Sequence, residues 1–460
     1  MDHRDIDPAR ARPRHGRTIS RLVLAFGLAL VAPSLPREAA ARRCSYEQQV
    51  DPCLGQDPVC PAVSTRTGPS NSEWPVFQHD QQHTGRTKWL GPSCAKELWT
   101  RKLRGPLFAA PAIGPPMPGG TDGIVYVATA KYPVCALDPA NGIVRWCDTT
   151  DIGKLPDHSA PAVGNGKRLY VGTRDNDLWA IDADPLQGVA SVPWRQKVCT
   201  DGDVSTPPNI ADDGTVYAGS DSLSAGTILA MCPGDSGQIR WCINPVGGGI
   251  KTVSPALSPD QSVVYFTVNG IELRAFDAAV GTPLWKIRVE TTRNGARLWN
   301  FTPVVNPVTG RIYLGFDTGL WAVDPPASPG RSPTAKLLFG TRGEGAEVMA
   351  SPPALDVENG RIYLGAANRN HATFYAVDLA GKLLWSVPIG IANMRNTPPV
   401  VDGAGNVYLA AGRRLISWTK DGRERWRKDD PGGFTSSPVI GKNRLYVGNR
   451  QGRIFAIGGC

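Results

Sequence analysis

AFDAAVGTPLW, residues Ala275–Trp285, holds an alanine, an aspartate two residues later, a glycine at the seventh position and a tryptophan at the eleventh. ALDPANGIVRW (Ala136–Trp146) repeats that skeleton at the same spacings. Looser copies are AVDLAGKLLW (Ala376–Trp385), SWTKDGRERW (Ser417–Trp426), AMCPGDSGQIRW (Ala230–Trp241) and AIDADPLQG, which runs on to Trp194. Apolar runs with a tyrosine, such as GRIYLG and RLYVG, precede the copies. The anchors Tyr126, Tyr170, Tyr217, Tyr265, Tyr313, Tyr363, Tyr408 and Tyr446 stand 44, 47, 48, 48, 50, 45 and 38 residues apart. Upstream of these runs lies a small residue before proline, as in Thr206-Pro207, Ser254-Pro255, Ser351-Pro352 and Thr397-Pro398. A period in the forties suits four short strands with their turns.

The residue types agree with that period. The tyrosine runs are rich in β-branched and aromatic residues, have no helical period and are bounded by Gly, Asp, Asn and Pro. The D-x-x-x-G stretch is hairpin-turn chemistry, with glycine supplying a positive φ. One four-stranded sheet cannot bury both of its faces, whereas a ring of such sheets can. The expected fold is therefore all-β, an eight-bladed propeller of four-stranded antiparallel blades. Trp99, Trp146, Trp194, Trp241, Trp285, Trp385 and Trp426 are its structural residues, filling the gaps between neighbouring blades. KELWT (Lys96–Thr100) has a tryptophan without preceding strands, while the last unit has strands without a closing tryptophan. The N-terminal strand is thus expected to complete the last blade and close the ring.

The A-x-D-x-x-x-G-x-x-x-W skeleton resembles the tryptophan-docking repeat of the pyrroloquinoline quinone (PQQ) type propellers, a superfamily that includes quinoprotein alcohol dehydrogenases and BamB-type assembly lipoproteins. WPVFQHDQQHTGRT (Trp74–Thr87) resembles the leading motif of the same propellers. The resemblance spans about Trp74 to Cys460 and is specific for the fold rather than the job. His79 and His83 fall four apart in the leading motif, but no third metal ligand accompanies them, so both are expected to fill an ordered loop.

Residues 1–41 have the pattern of an export signal: an arginine-bearing start, the apolar core Leu22–Ala32 and the small-residue site Ala39-Ala40-Ala41. The core is too short to span a bilayer, so no transmembrane segment is expected. No Arg-Arg pair precedes it, which favours the general secretory route. Cys44 follows Ala41-Arg42-Arg43, unlike a lipoprotein signal. The chain is therefore expected to be exported, to the periplasm or beyond. Nine arginines and four acidic residues in 1–43 leave only +4 of the net +9 for the remainder, and no basic run points to nucleic acid. Residues 42–73 are polar and Pro-bearing, with Cys44, Cys53 and Cys60, and are expected to form a tether to a propeller over 74–460.

Ten cysteines in an exported chain indicate disulfides. Cys135 and Cys147 flank the Ala and Trp of the first unit and should face each other across two strands. Cys94 and Cys460 both come near the closing blade and should lock it. Cys232 and Cys242 form the expected third pair, with Cys199 competing.

Binding residues in propellers are sought in the loops at the channel mouth. Asp157, His158, Asp203, Lys251, Trp299, Asn300, Glu347, Arg395 and Asn396 precede the inner strands and form the candidate ligand-binding rim, with Phe434. Asp175, Asp177, Asn269, Asp317, Asn368, Arg369, His371, Arg413 and Arg414 belong to the second loop set. The resemblance to quinoprotein dehydrogenases implies a vicinal Cys-Cys disulfide over PQQ and a Glu/Asn/Asp set around calcium. No Cys-Cys pair occurs, and Glu347, Asn300 and Asp203 match no such motif. No catalytic residue, metal or cofactor is therefore expected. The first reading is a monomeric, non-catalytic binding or scaffolding propeller for a protein or small-molecule ligand. The alternative is a PQQ- and calcium-dependent dehydrogenase of an alcohol or sugar.

Overall fold

The computed structural model describes residues 60, 61 and 68–460, except 130–133, 148–158, 166–167, 174–176, 185–188, 198–202, 222–225, 235, 244–249, 251–252, 269–271, 290–301, 317, 329, 341–347, 369, 391–393, 395 and 396. Eight antiparallel sheets make an eight-bladed β-propeller, seven of the blades running from an innermost to an outermost strand in chain order. Blade 4 is representative: Ala256–Leu257, Val263–Val268, Glu272–Asp277 and Pro283–Arg288. Blade 6 departs slightly, because Val348–Met349 and Ala354–Asp356 both pair with Arg361–Ala367. Blade 8 takes three strands from the C-terminus, and Glu97–Lys102 pairs antiparallel to Arg453–Gly458 as its outermost strand.

The repeat skeleton is a cross-strand row. In blade 4 Tyr265 lies opposite Ala275, which lies opposite Trp285. Tyr217, Ala230 and Trp241 form the same row in blade 3. The alanine is small enough for the flanking rings to meet above it, at centroid separations of 5.7 and 5.9 Å. Such pairs add about 1 kcal/mol beyond the area they bury. The aspartate then ties the turn, since Asp277 Oδ1 accepts the Ala279 and Val280 amides at 2.8 and 3.0 Å.

The glycine serves the neighbouring blade. Gly281 has φ +73°, and a Cβ there would lie 2.6 Å from the ring of Trp241 in blade 3. The Trp241 indole N–H donates to the Ala278 carbonyl at 3.0 Å in the same turn. Trp194 repeats the contact against Gly237, Trp385 against Gly422 and Trp99 against Gly142. These four outer tryptophans thus dock on the next blade's turn, each donating its indole N–H to a carbonyl there.

Blade 5 breaks the rule. Tyr313 and Ala322 are in place, but the residue opposite Ala322 is Lys336. Its third-to-fourth-strand connection, from Asp324 to Pro333, is long and Pro-rich rather than D-x-x-x-G. Trp285 of blade 4 consequently has no such glycine to dock on and is only half-buried, whereas Trp241 is 2% exposed.

Cys135 and Cys147 are direct cross-strand partners joined by a disulfide, with Cα atoms 4.0 Å apart. Cys94 and Cys460 are joined at 6.1 Å, beside the closing strand. The third expected pair is corrected: Cys232 is bonded to Cys60, 172 residues upstream. Register explains why. Cys242 lies opposite Leu229, three residues before Cys232, so the two sulfurs are not cross-strand neighbours as those of blade 1 are. Residues 68–73, expected in the tether, pack on the ring: the Ser70 amide donates to the Val163 carbonyl at 2.8 Å. Residues 1–41 lie outside the described residues.

Candidate functional site: the channel and its plug

The leading segment, from Ser70 to Leu90, threads across one end of the ring and hydrogen-bonds to every blade. It meets blade 1 at Ile113, blade 2 at Val163, blade 3 at Asn209 and blade 4 at Leu257. It meets blade 5 at Val305, blade 6 at Leu355, blade 7 at Val401 and blade 8 at Asn443. Most of these partners sit at the C-terminal ends of the innermost strands. The plug therefore fills the end of the channel opposite the loops that precede those strands. Its own geometry is tight, with left-handed φ values at Gln78 (52°), His79 (79°) and His83 (58°). Such conformations persist only where surrounding contacts over-determine them, as eight blades do here.

Asp80 organises the turn by accepting the Thr84 amide at 2.8 Å and the Thr84 hydroxyl, with the His79 ring at 3.4 Å. Burial pushes its carboxyl upward, but the His79 and Thr84 contacts prevail and hold it below the usual carboxylate range. Arg86 reaches Asp356 and Glu358, both at 2.9 Å, and fixes the plug to blade 6. His83 is fully buried, edge-on to Phe77 at 6.0 Å; neither ring nitrogen has a hydrogen-bond partner, although the Pro303 carbonyl lies nearby. Burial lowers it to about 4, so it is neutral at pH 7. His79 instead packs on Trp74. The two histidines are parts of an ordered plug.

Several hydroxyls before the innermost strands are also occupied by structure, although those of Ser205 and Ser351 are buried without a hydrogen-bond partner. Thr206 Oγ1 donates to the Gly219 carbonyl at 2.9 Å and accepts its amide at 2.7 Å. Ser159 donates to the Thr206 carbonyl, and Ser254 to the Pro207 carbonyl, linking neighbouring blades at the channel wall.

Apart from Phe434, only Asp203 of the candidate rim lies among the described residues. It forms an isolated bridge with Asp221, its carbonyl accepting the Asp221 amide at 2.7 Å. Asp157, His158, Lys251, Trp299, Asn300, Glu347, Arg395 and Asn396 lie outside them, as do Asp175, Asn269, Asp317 and Arg369. Asp177 is a buried strand residue, Asn368 caps a turn by accepting the His371 amide at 2.7 Å, and Phe434 is packed on Phe455. Arg413 and Arg414 line a shallow polar cleft with Asp429 and Asp430 on blade 7. The described members of the two loop sets are thus spread over several blades, most of them held in turns, strands or core.

The profile of the PQQ-type repeat family described as "Outer membrane protein assembly factor BamB" matches residues 84–185, 155–362 and 370–458. The chain belongs to that family. It is 26% identical over 355 residues to the outer membrane protein assembly factor BamB of Yersinia pestis, covering 72% of this chain and 81% of that protein. The structure is similar to that of BamB from Moraxella catarrhalis, with a TM-score of 0.58 and 18% identity over 79% of this chain and 100% of that one. It is also similar to a quinohemoprotein alcohol dehydrogenase from Pseudomonas putida HK5, with a TM-score of 0.66 and 14% identity over 85% and 81%. At these identities the structural likenesses establish the propeller fold.

PQQ with calcium requires several oxygen ligands converging on the metal. Among the described residues no three His, Cys, Asp or Glu side chains converge to hold a metal ion, and the sequence has no adjacent cysteine pair. Among the described residues no helix is long and apolar enough to cross a membrane.

Proposed function

We propose that this protein is an exported, non-catalytic propeller scaffold that binds other proteins on the periplasmic side of an outer membrane, in the manner named for its BamB relatives. Membership of the BamB family carries the reading. Three further features support it: a channel filled at one end by a structural plug, the Ser159, Thr206 and Ser254 hydroxyls committed to neighbouring backbone, and no assembled metal-ligand set among the described residues. Binding then falls to the loops and the outer surface, where a rigid ring can display side chains without moving. The export pattern of residues 1–41 and the disulfides agree with an oxidising compartment.

The test is calorimetric titration of the oxidised protein lacking residues 1–41 with PQQ in calcium, followed by an alcohol- and sugar-oxidation assay. No calcium-dependent binding and no turnover are expected. Calcium-dependent binding accompanied by turnover would replace the scaffold with a dehydrogenase.

A further inference from the structure

Of the eight large apolar side chains exposed among the described residues, six belong to blades 4–6: Val280, Leu284, Val308, Leu337, Leu383 and Leu384. Four of these lie on the outermost strands. Those strands, PLWKIR, TAKLLFG and LLWSVPIG, contain no acidic residue. Exposed leucine on an unpaired strand edge is a hazard that proteins ordinarily cover or charge. Here it is retained.

Blade 4 carries the most specific pattern. Along Pro283–Arg288, Leu284, Lys286 and Arg288 are exposed and two residues apart, while Trp285 and Ile287 between them are half-buried. Beyond the bulge at Leu284, the period of two places both cations on one face about 6–7 Å apart. Lys286 lies opposite Arg274 on the third strand, and Arg288 lies opposite Glu272. The face therefore holds three cations and one acid, and Glu272 is already paired to Arg274. Lys286 and Arg288 have no ion pair among the described residues. Among the described residues no strand adds to the outer side of this one, so half of its peptide groups face outward without a sheet partner there.

We propose that the outermost strand of blade 4 is a docking edge for an extended partner segment in which acidic and apolar residues alternate. Strand addition satisfies the free peptide groups and supplies affinity; side chains on alternate positions supply selection. Acidic residues of the added strand meet Lys286 and Arg288, and its apolar residues continue the surface begun by Trp285 and Ile287. The same two cations repel a second copy of this edge, so the site selects a partner over self-association. This rests on the scaffold reading and gives that scaffold a place and a partner chemistry.

The experiment is titration of the oxidised protein lacking residues 1–41 with a synthetic peptide alternating valine and glutamate, followed by Trp285 fluorescence and calorimetry. Binding is expected, at least tenfold weaker in Lys286→Glu/Arg288→Glu, unchanged in the blade 7 control Arg427→Glu, and lost when alternate peptide nitrogens are methylated. Circular dichroism confirms that these surface variants stay folded. Absence of binding, full affinity in the double reversal, equal affinity for a valine–lysine peptide, or indifference to methylation each overturns the proposal. None of these results bears on the PQQ titration, whose positive outcome would instead remove the scaffold reading.

Discussion

Blades 7 and 8 end in ERWRKD and ELWTRK, whereas blades 4, 5 and 6 end in PLWKIR, TAKLLFG and LLWSVPIG. The first pair alternates charge. Arg427 is bonded to Glu424 at 2.7 Å and Lys428 to Glu97 across the blades at 2.9 Å, while Trp426 and Trp99 are 8% and 9% exposed. The other three expose leucine, those of blades 4 and 5 leave Lys286, Arg288 and Lys336 without an ion pair among the described residues, and Trp285 and Trp385 are held less deeply. One sequence skeleton thus yields two kinds of rim: a charge-covered, docked edge beside the ring closure, and an apolar, basic edge flanking blade 5. Blade 5 accounts for the shallow Trp285 alone, since Trp385 docks on Gly422 of blade 7. Lys336 occupies the tryptophan position of blade 5, and the Asp324–Pro333 connection offers no docking glycine.

The comparison breaks most easily at the tryptophans. Trp241→Ala removes a docked, hydrogen-bonded indole and should cost about 3–5 kcal/mol, whereas Trp285→Ala removes a half-buried ring and should cost about 1–2 kcal/mol. Denaturant midpoints of the two variants measure the difference, and equal losses would show that docking on the next turn adds nothing.

The plug spans both kinds of rim, so acidifying it asks whether they fail together. The His83 imidazole has an ordinary value of 6.5 when unfolded and about 4 when buried. The unfolded chain therefore takes up a proton that the native ring refuses, and stability is full above 6.5 and declines as pH falls towards 4. The loss is of the order of 3 kcal/mol. His83→Phe should flatten the stability profile between those values, read by chemical denaturation at several pH values; an unchanged slope would assign the acid sensitivity elsewhere.

Glycine substitutions sharpen the docking argument. Gly281→Ala places a Cβ against the Trp241 ring at positive φ and should cost about 2–3 kcal/mol. Gly330, in the connection of blade 5, has φ +83°, and a Cβ there would meet nothing within 4 Å, so Gly330→Ala should cost only the backbone strain of about 1 kcal/mol. Thermal unfolding in parallel distinguishes them. The smallest effect belongs to the charged rim itself: Arg427→Ala loses an exposed ion pair and should change stability by less than about 0.5 kcal/mol.

Much of this architecture is legible because the repeat encodes contacts between nearest neighbours. Tyr265, Ala275 and Trp285 share a row through strand register alone, and Asp277 and Gly281 make a turn through local chemistry alone. The pairing of Cys232 is not legible in the same way: it lies two residues after its alanine, whereas Cys135 lies one before, and register separates Cys232 from Cys242. Its partner, Cys60, comes from a segment with no repeat to align. The leading motif announces an ordered loop without revealing that the segment bonds to all eight blades. That depends on inner-strand ends drawn from across the whole chain.

The sequence by itself determined the all-β class and the eight four-stranded blades, because those follow from strand-forming runs and turn signals repeated at a period in the forties. Tertiary structure decided which tryptophans are docked, where Cys60 pairs, how the plug seals one end of the channel and which outer edges stay apolar and basic. Each of these depends on the blade next door or on a segment brought in from far along the chain, and no local pattern records what a closed ring places beside it.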